Sequence, residues 1–330
     1  MRSIYRSTVA LCLFLFGLES INVDENGQNE FTIIVLPDTQ NYVAGINGGT
    51  PETFTAQTQW IVDNRQALNI VFVTHVGDCV QQGDEFKATY EQEWIHADAA
   101  MRKLELPPEI PYGIAVGNHD QVPIGSAKGN TQFFNEYFGI LRFQNKSWYG
   151  GHYGRNNDNH YELFSGGGQK FVILHLEYDA TADKSVLEWA DQVLQTHRER
   201  RGIIVSHYIL NNDGSFGRQG QLIYDTLKNN PNLFMMLCGH QSEREARRED
   251  TFKGRTVHTL MSDYQSRANG GDGWLRIMQF ATAKPEVKVR TYSPTLRQFE
   301  TDSDSRFTIK LDPRRKSEQR DHGGASSGVR

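Results

Sequence analysis

The sequence predicts an α/β fold, because short apolar segments alternate with longer segments that carry apolar residues at helical spacing. The 330 residues are 38% hydrophobic and 23% charged, which suits a globular protein with a sizeable core. This composition excludes a wholly disordered chain and a multispan membrane protein. Polar residues also follow directly after several apolar segments, as they do where a sheet forms a binding crevice.

Six apolar segments in the first 240 residues predict strands. They are Phe31–Leu36, Ile70–Val76, Tyr112–Val116, Phe171–Leu176, Gly202–Ser206 and Leu233–Cys238. Five segments between them predict helices. They are Thr53–Leu68, Phe86–Leu104, Thr131–Phe138, Lys184–Arg200 and Gln219–Asn229. A glycine cluster joins His160–Phe164 to the strand that begins at Phe171, which predicts a β-hairpin.

After residue 250 the sequence predicts strands only. They are Thr256–Met261, Trp274–Ala281, Glu286–Tyr292 and Phe307–Leu311. We expect these strands to form a second sheet that completes a sandwich, because no Pro- or Ser-rich linker marks a domain boundary. The folded domain is therefore expected over residues 29–311, followed by a charged, Gly- and Ser-rich tail, 312–330, that is predicted to be disordered.

The first 20 residues have the pattern of an export signal, with Arg2 and Arg6 before the apolar run Thr8–Leu18. This run is too short to cross a bilayer comfortably. No A-x-A cleavage pattern follows, so a retained N-terminal anchor is the alternative. We therefore expect a secreted, periplasmic or cell-envelope protein. Outside this segment only Cys79 and Cys238 remain, and we expect two buried thiols, with a disulfide between them as the alternative.

Five predicted strands are followed by Asp, Asn or His side chains. These strand-end residues are Asp38 with Gln40, Asp78, Asn118 with His119 and Asp120, His207, and His240. They would converge beyond the carboxyl ends of the strands, where α/β sheets bind ligands. Carboxylates that converge in a partly desolvated cleft repel one another unless a cation binds between them. Mn²⁺, Zn²⁺ and Fe accept such a mixed oxygen and nitrogen set, whereas Ca²⁺ sites rarely include His.

In this order, Asp38-x-Gln40, Gly77-Asp78, Gly117–Asp120, His207 and Gly239-His240 resemble the five motifs of the calcineurin-like metallophosphoesterase family. The resemblance implies a four-layer αββα sandwich of two mixed β-sheets, with two divalent metal ions bound at one edge. It also implies that Asp78 bridges both metals and that Asp38 serves the first. Asn118, His207 and His240 would serve the second.

Two positions depart from the family's pattern. Gln40 stands where the family commonly has the His of its first motif, and Ser242 stands where it has the last His. Both differences affect the first metal site, because the amide oxygen of Gln is a harder and weaker ligand than imidazole. We expect this site to bind more weakly, to prefer a harder metal or to fill only under some conditions. Gln241, Tyr264 or a water would supply the missing contact.

The resemblance implies a metal-dependent phosphoester hydrolase, since two divalent metals activate water at neutral pH and neutralise phosphoryl charge. His119 follows Asn118 directly and matches the family's catalytic His, so it is the predicted general acid. Asp120, or a carboxylate from elsewhere, would orient the His119 ring. Tyr264 and Arg267 are candidate phosphate contacts. The substrate is expected to be a small phosphorylated molecule, cleaved as a monoester or a diester.

Three other functions compete with this interpretation. A protein phosphatase is disfavoured because Gly77–Gly83 lacks the Asp-Arg pair that such enzymes carry after Gly-Asp. A nuclease and duplex nucleic acid are disfavoured because the net charge of −5 gives no general attraction to a polyanion. A metal-dependent binding module without catalysis remains open, since two ligands of the first site differ. The sequence leaves the oligomeric state undetermined.

Two further residues have two interpretations each, and a charged segment has one. Tyr42 would either stack on a substrate or, as we expect more, pack within its loop. His75 would either support the site from behind or be a buried residue bonded to backbone. The charged segment Glu243–Glu249 is expected to be a solvated surface.

Overall fold

The computed structural model describes residues 30–83, 87–127, 129–241, 245–281 and 283–312. The predicted export signal and nearly all of the predicted disordered tail lie outside these residues, as does Ser242. The described part of the chain contains no helix with the length and apolar character needed to span a membrane.

The strands follow the predicted order along the chain. They are β1 (Glu30–Leu36), β2 (Ile70–His75), β3 (Tyr112–Ile114), β4 (Tyr149–His152), β5 (His160–Gly166), β6 (Gln169–Leu176), β7 (Arg201–Ser206), β8 (Leu233–Cys238), β9 (Glu245–Phe252), β10 (Arg255–Ser262), β11 (Leu275–Ala281), β12 (Glu286–Ser293), β13 (Gln298–Phe299) and β14 (Arg306–Lys310). All six early strands, the β5–β6 hairpin and the four late strands are confirmed. The predicted hairpin turns at Gly167 and Gly168, whose positive φ angles glycine adopts without strain.

The predicted helices are also present, and two short ones join them. The helices are α1 (Gln40–Ala44), α2 (Pro51–Asn64), α3 (Lys87–Met101), α4 (Gln132–Phe138), α5 (Ile140–Phe143), α6 (Lys184–Thr196) and α7 (Arg218–Leu227). Single turns of 3₁₀-helix lie at Arg102–Glu105 and Ala268–Gly270. The sequence missed α1 and α5 because four or five residues show no periodicity.

The strands form two mixed sheets. The first has the order β13-β12-β11-β1-β2-β3, with β14 also paired to β12, and β1, β2 and β3 run parallel. The second has the order β4-β5-β6-β7-β8-β10-β9, with β6, β7, β8 and β10 parallel. In each sheet the parallel strands end at the same edge.

Alternating side chains explain why both faces of each sheet are buried. In β1, Ile34 and Leu36 pack with the helices α1 to α4, whereas Phe31, Ile33 and Val35 pack between the two sheets. In β6 the same alternation places one set of side chains between the sheets and the other against α6 and α7. Three apolar layers thus hold four structural layers together, and the αββα sandwich is confirmed.

The late strands do not form a second sheet of their own, so that expectation was wrong. β9 and β10 extend the second sheet beside β8, and β11 to β14 extend the first sheet beside β1. β11 pairs antiparallel with β1, with Phe31 opposite Phe280. Each early strand set has a free edge with unpaired backbone groups, and the late strands satisfy both edges.

The charged segment that begins near residue 243 is not simply a solvated surface. Glu245 is buried, and its Oε1 lies 2.7 Å from Arg276 Nη2, a pair in which both side chains are almost fully buried. The Tyr264 hydroxyl also donates to Glu245, at 2.5 Å. Glu245 therefore ties β9 to β11 of the other sheet, while alternate β9 residues such as Arg247 are exposed.

The two cysteines are buried free thiols, as expected, so the alternative of a disulfide between them is excluded. Burial raises the pKa of the Cys238 thiol to about 12, which keeps it in the inert thiol form.

A cluster of three polar side chains lies inside the core, away from the strand ends. Its members are His160, Glu162 and His175. His175 Nδ1 lies 2.9 Å and His160 Nε2 lies 3.2 Å from the two carboxyl oxygens of Glu162. Burial raises the pKa of Glu162 to about 8 and lowers the pKa of His160 to about 4 and that of His175 to about 3. All three groups are therefore neutral at pH 7, and Glu162 accepts a hydrogen bond from His175 Nδ1.

We predict that Glu162→Gln makes the slope of the free energy of unfolding against pH more positive between pH 5 and 8. In this window the unfolded chain has released the Glu162 proton, whereas the folded chain still holds it, so stability falls as pH rises. Gln mimics the protonated acid and removes this loss, which amounts to at most about 1.4 kcal/mol per pH unit. Urea unfolding of chelated protein at several pH values measures the slope.

Glu188→Gln is the matched control, since Glu188 is an exposed carboxylate on α6. It should leave the slope as in the wild type. Equal slopes for the wild type and Glu162→Gln would contradict the neutral network.

Candidate metal centre

The strand-end residues singled out from the sequence lie together where the two sheets meet. Asp38, Asp78 and Asn118 follow the parallel strands of the first sheet, whereas His207 and His240 follow those of the second. The structure thus brings all five residues to one edge of the sandwich.

Short distances define the cluster. His207 Nε2 lies 3.1 Å from Asp78 Oδ2 and 3.9 Å from Asp38 Oδ2. His240 Nδ1 lies 2.8 Å from the Asn118 side-chain oxygen. Potential ligand atoms of Asp38, Asp78 and His207 lie within 4.8 Å of one another, a spacing that suits ligands of one or two metal ions.

Glycines beside the ligands allow the turns to approach this closely. A Cβ on Gly239 would lie 2.0 Å from Asp38 Oδ1, and a Cβ on Gly117 would lie 2.1 Å from Asp78 Oδ1. Asp78 and His240 themselves have positive φ angles of 52° and 72°. Such angles cost free energy for residues other than glycine, and they occur mainly where a site holds the backbone in place.

Backbone groups fix the orientation of His207. Its Nδ1 lies 3.0 Å from the carbonyl oxygen of Val76, so Nδ1 carries the proton and donates it. Nε2 therefore faces the carboxylates of Asp38 and Asp78. A metal-binding His commonly donates its second ring nitrogen to a carbonyl or carboxylate in this way.

Three buried atoms in the cluster have no hydrogen-bond partner, namely Asp38 Oδ1, Gln40 Oε1 and His207 Nε2. Unpartnered buried polar atoms are costly, and a cation bound among these three atoms would satisfy them. The donor set of carboxylate, amide and imidazole suits divalent transition metals. The residues present therefore fit the metal ions that the sequence predicted.

Electrostatics in the cluster also favour a bound cation. Burial, Asp263 and Asp78 raise the pKa of Asp38 well above its usual range. Burial raises the pKa of Asp78 as well, but the positive charge of His207 outweighs this and holds that pKa below its usual value. Metal ions would replace the His207 proton and keep the carboxylates ionised.

His240 is kept neutral, since burial and then the charge of His207 lower its pKa to about 4. A neutral imidazole is the form that binds metals.

His119 lies at the rim of the cluster and is partly exposed. Its backbone N–H donates to Asp78 Oδ1 at 2.8 Å, and its Nδ1 lies 2.7 Å from the carbonyl oxygen of Gln81. The Nδ1 proton therefore points to that carbonyl, and Nε2 remains available for proton transfer.

Asp120 does not contact the His119 ring, so the expectation that Asp120 orients this ring was wrong. Its carboxylate accepts the backbone N–H groups of Gly117, at 2.8 Å, and Val80, at 3.2 Å. Glu93 is the carboxylate behind His119, because its Oε2 accepts the N–H of Gln81, whose carbonyl binds the ring.

Several other candidates lie away from solvent. Tyr264 is fully buried and bonded to Glu245, so it cannot contact a substrate or supply the missing metal contact. Tyr42 is buried and its hydroxyl accepts the N–H of Gly273, which is the packing role that we expected. His75 is also buried, with its ring between the Gly77 N–H and the Thr39 hydroxyl, and it supports the turn that carries Asp78.

Arg267 is partly exposed but already paired. Its guanidinium donates to both carboxyl oxygens of Glu300, at 2.7 and 2.8 Å, and lies over the Tyr264 ring. It lines a polar depression of about 430 Å³ together with Arg247 and the turn at Gly214. Arg267 would therefore have to release Glu300 before its guanidinium could bind a phosphate.

Four residues near the cluster escaped the sequence interpretation. Asp263 follows β10 and is fully buried, and Gln265 donates to both Asp263 and Asp38. Tyr178 and Tyr208 lie on the open side, with ring centroids 5.4 and 4.8 Å from that of His240. The signal for Asp263 was present in the sequence, because it too follows a predicted strand.

Comparison with known proteins agrees with this geometry. The family model described as calcineurin-like phosphoesterase matches residues 31–244, which covers the strands that carry the five candidate ligands. The chain belongs to the calcineurin-like phosphoesterase family. Membership in this family implies metal-dependent phosphoester hydrolysis.

One protein sequence and two solved structures are similar to this calcineurin-like chain. The uncharacterized protein YvnB of Bacillus subtilis (strain 168) is 34% identical over 307 residues, which cover 88% of this chain and 23% of YvnB. The chain thus spans less than a quarter of that relative's length. A dimetal phosphatase from Danio rerio has a similar fold, with a TM-score of 0.52 and 13% identity over 86% of this chain and 99% of that chain. GAP50, the anchor in the inner membrane complex of Plasmodium, aligns with a TM-score of 0.48 and 11% identity over 88% of this chain and 90% of that chain.

We predict that Gly239→Ala weakens divalent metal binding by about 10-fold or more, because the new Cβ would displace Asp38. Isothermal titration of chelated protein with Mn²⁺ and Zn²⁺ measures the change. Gly254→Ala is the control, since a Cβ at this position in the β9–β10 turn meets no atom within 4 Å. Its positive φ of 71° costs about 1 kcal/mol of stability without touching the cluster. Equal metal affinity in both variants would contradict the role of Asp38.

Proposed function

We propose that this protein hydrolyses phosphoester bonds of a small phosphorylated substrate, as a phosphomonoesterase or phosphodiesterase, with two divalent metal ions bound at the sheet edge. The observation that carries this proposal is the convergence of Asp38, Asp78, Asn118, His207 and His240 around unpartnered buried ligand atoms. Metal ions held there would activate water at neutral pH and neutralise charge on the phosphoryl oxygens.

The side chains of the cluster have different proposed roles, which follow from their positions. Asp78 faces His207 on one side, and through its other oxygen it holds the His119 backbone, so it links the ligand cluster to the general acid. His119 Nδ1 is held by the Gln81 carbonyl, which leaves Nε2 to donate a proton to the leaving oxygen. Tyr178 and Tyr208 form an aromatic wall beside His240, which suits an organic group on the phosphate.

One observation favours a second candidate, a metal-dependent binding module without catalysis. Gln40 stands at a position where the family commonly provides His, and an amide oxygen is a weaker metal ligand than imidazole. A protein that binds metal and phosphate without turnover would result if the first site did not fill. Export to the periplasm, the cell envelope or the medium, and a phosphorylated small molecule as partner, are further parts of our proposal.

We predict that chelated protein regains phosphatase activity when Mn²⁺, Zn²⁺ or Fe²⁺ is added back. Turnover of p-nitrophenyl phosphate and of bis(p-nitrophenyl) phosphate is the measurement, and preference for the bis ester selects a diesterase. Asp78→Asn is the inactive control, because it removes the carboxylate that faces both His207 and the first-site residues. Lack of turnover with every metal, in protein that binds metal, would favour the binding module.

We predict that His119→Ala lowers kcat about 10²- to 10⁴-fold for a substrate with a poor leaving group, such as phenyl phosphate. The loss should be much smaller for p-nitrophenyl phosphate, whose leaving oxygen needs less protonation. Metal content should stay close to that of the wild type, because the His119 backbone N–H still holds Asp78. Equal losses for both substrates, or unchanged kcat, would contradict the role of His119 as general acid.

A further inference from the structure

Asp38 and Gln40 each have a buried oxygen without a hydrogen-bond partner. Asp38 Oδ1 and Gln40 Oε1 belong to side chains that are only 1% and 5% exposed, and neither oxygen accepts a hydrogen bond. The other half of the Gln40 amide is fixed, since its Nε2 donates to Gln265 Oε1. The amide is thus held in one orientation, with its oxygen free to bind a cation.

Asp263 adds another buried carboxylate beside Asp38. It follows β10, which runs parallel to β8, so Asp263 reaches the same sheet edge as His240. Gln265 Nε2 lies 3.4 Å from Asp38 Oδ2 and 3.3 Å from Asp263 Oδ2, so one amide nitrogen joins the two carboxyl groups. Both are fully buried, at 1% and 0% exposure.

A neutral amide cannot compensate these charges. Asp38, Asp78 and Asp263 are three carboxylates in one buried cluster, and His207 is the one ring that faces Asp38 and Asp78 directly among the described residues. Like charges in a buried site repel unless a cation or a shared proton lies between them. The free oxygens of Asp38 and Gln40 are available for such a cation.

We propose that Asp263 completes an all-oxygen cation site with Asp38, Gln40 and Asp78, beside a second site that contains the imidazoles of His207 and His240. Oxygen ligands favour hard cations, so this first site would take Mn²⁺ or Mg²⁺ in preference to Zn²⁺. The protein would then carry a mixed metal pair, with a hard ion at the all-oxygen site and a softer ion at the site with imidazole ligands. This inference rests on the proposed function, which requires metals at the same edge.

Asp263→Asn tests the inference, since Asn keeps an oxygen that can accept the Gln265 N–H but loses the charge. We expect the wild type to bind two equivalents of metal. In the variant, Mn²⁺ affinity at the first site should fall by at least about 10-fold while the second equivalent binds as before. Isothermal titration and the electron paramagnetic resonance of bound Mn²⁺ report this without any activity measurement.

Thermal unfolding separates a metal ligand from a purely structural residue. In chelator, Asp263→Asn should melt at a higher temperature than the wild type, because it relieves repulsion between carboxylates. With Mn²⁺ the order should reverse, since the wild type gains more from the bound ion. A residue that only shapes the turn would instead lower the melting temperature or leave it unchanged in both conditions.

Asp304→Asn is the matched control, because Asp304 is an exposed carboxylate whose side chain lies 3.8 Å from Arg247. It should leave both metal affinities unchanged. Asp263→His is the complementary variant, and it should shift the preference of the first site from Mn²⁺ towards Zn²⁺ by adding an imidazole.

The outcomes are distinguishable. If the wild type binds two metals and hydrolyses phosphoesters but Asp263→Asn binds both metals with wild-type affinities, this inference is overturned and the proposed function stands. If the wild type binds no metal at all, both are overturned.

Discussion

The structure depends on one electrostatic constraint, namely that buried carboxylates meet at the edge of the sandwich without enough positive charge from the protein to balance them. Asp38, Asp78 and Asp263 are at most 1% exposed, and His207 is the imidazole that faces the first two. Such a cluster is costly unless cations bind within it or the carboxylates take up protons. The buried oxygens of Asp38 and Gln40 have no hydrogen-bond partner and are available to a cation.

The two-sheet architecture makes this cluster possible. Each sheet contributes parallel strands that end at the same edge, so two sets of turns face each other across the apolar layer between the sheets. Glycines such as Gly117 and Gly239 let the turns approach to distances that a Cβ would prevent. The aromatic rings of Tyr178 and Tyr208 line the open side. Metal-dependent phosphoester hydrolysis, which family membership implies, is therefore consistent with the geometry of this edge.

The sequence predicted the early strands and the residues that follow them, because both signals are local. Asp38, Asp78, Asn118, His207 and His240 each come directly after an apolar run. Long-range pairing was harder to predict. The late strands could pair with the free edge of either sheet, and no local signal selects one. The burial of Glu245 depends on Arg276, which lies in the other sheet. Asp263 was missed because the turn after β10 was interpreted as an ordinary loop, although the strand before it had been predicted correctly.

X-ray diffraction from metal-loaded crystals at the absorption edges of Mn and Zn tests the central claim most directly, because anomalous scattering locates and identifies each ion. Our account predicts two peaks about 3.5–4 Å apart on either side of Asp78. The Mn peak should lie beside Asp38 and the Zn peak beside His207 and His240. Absence of anomalous density at this edge, with the ligand side chains directed away from one another, would contradict the account.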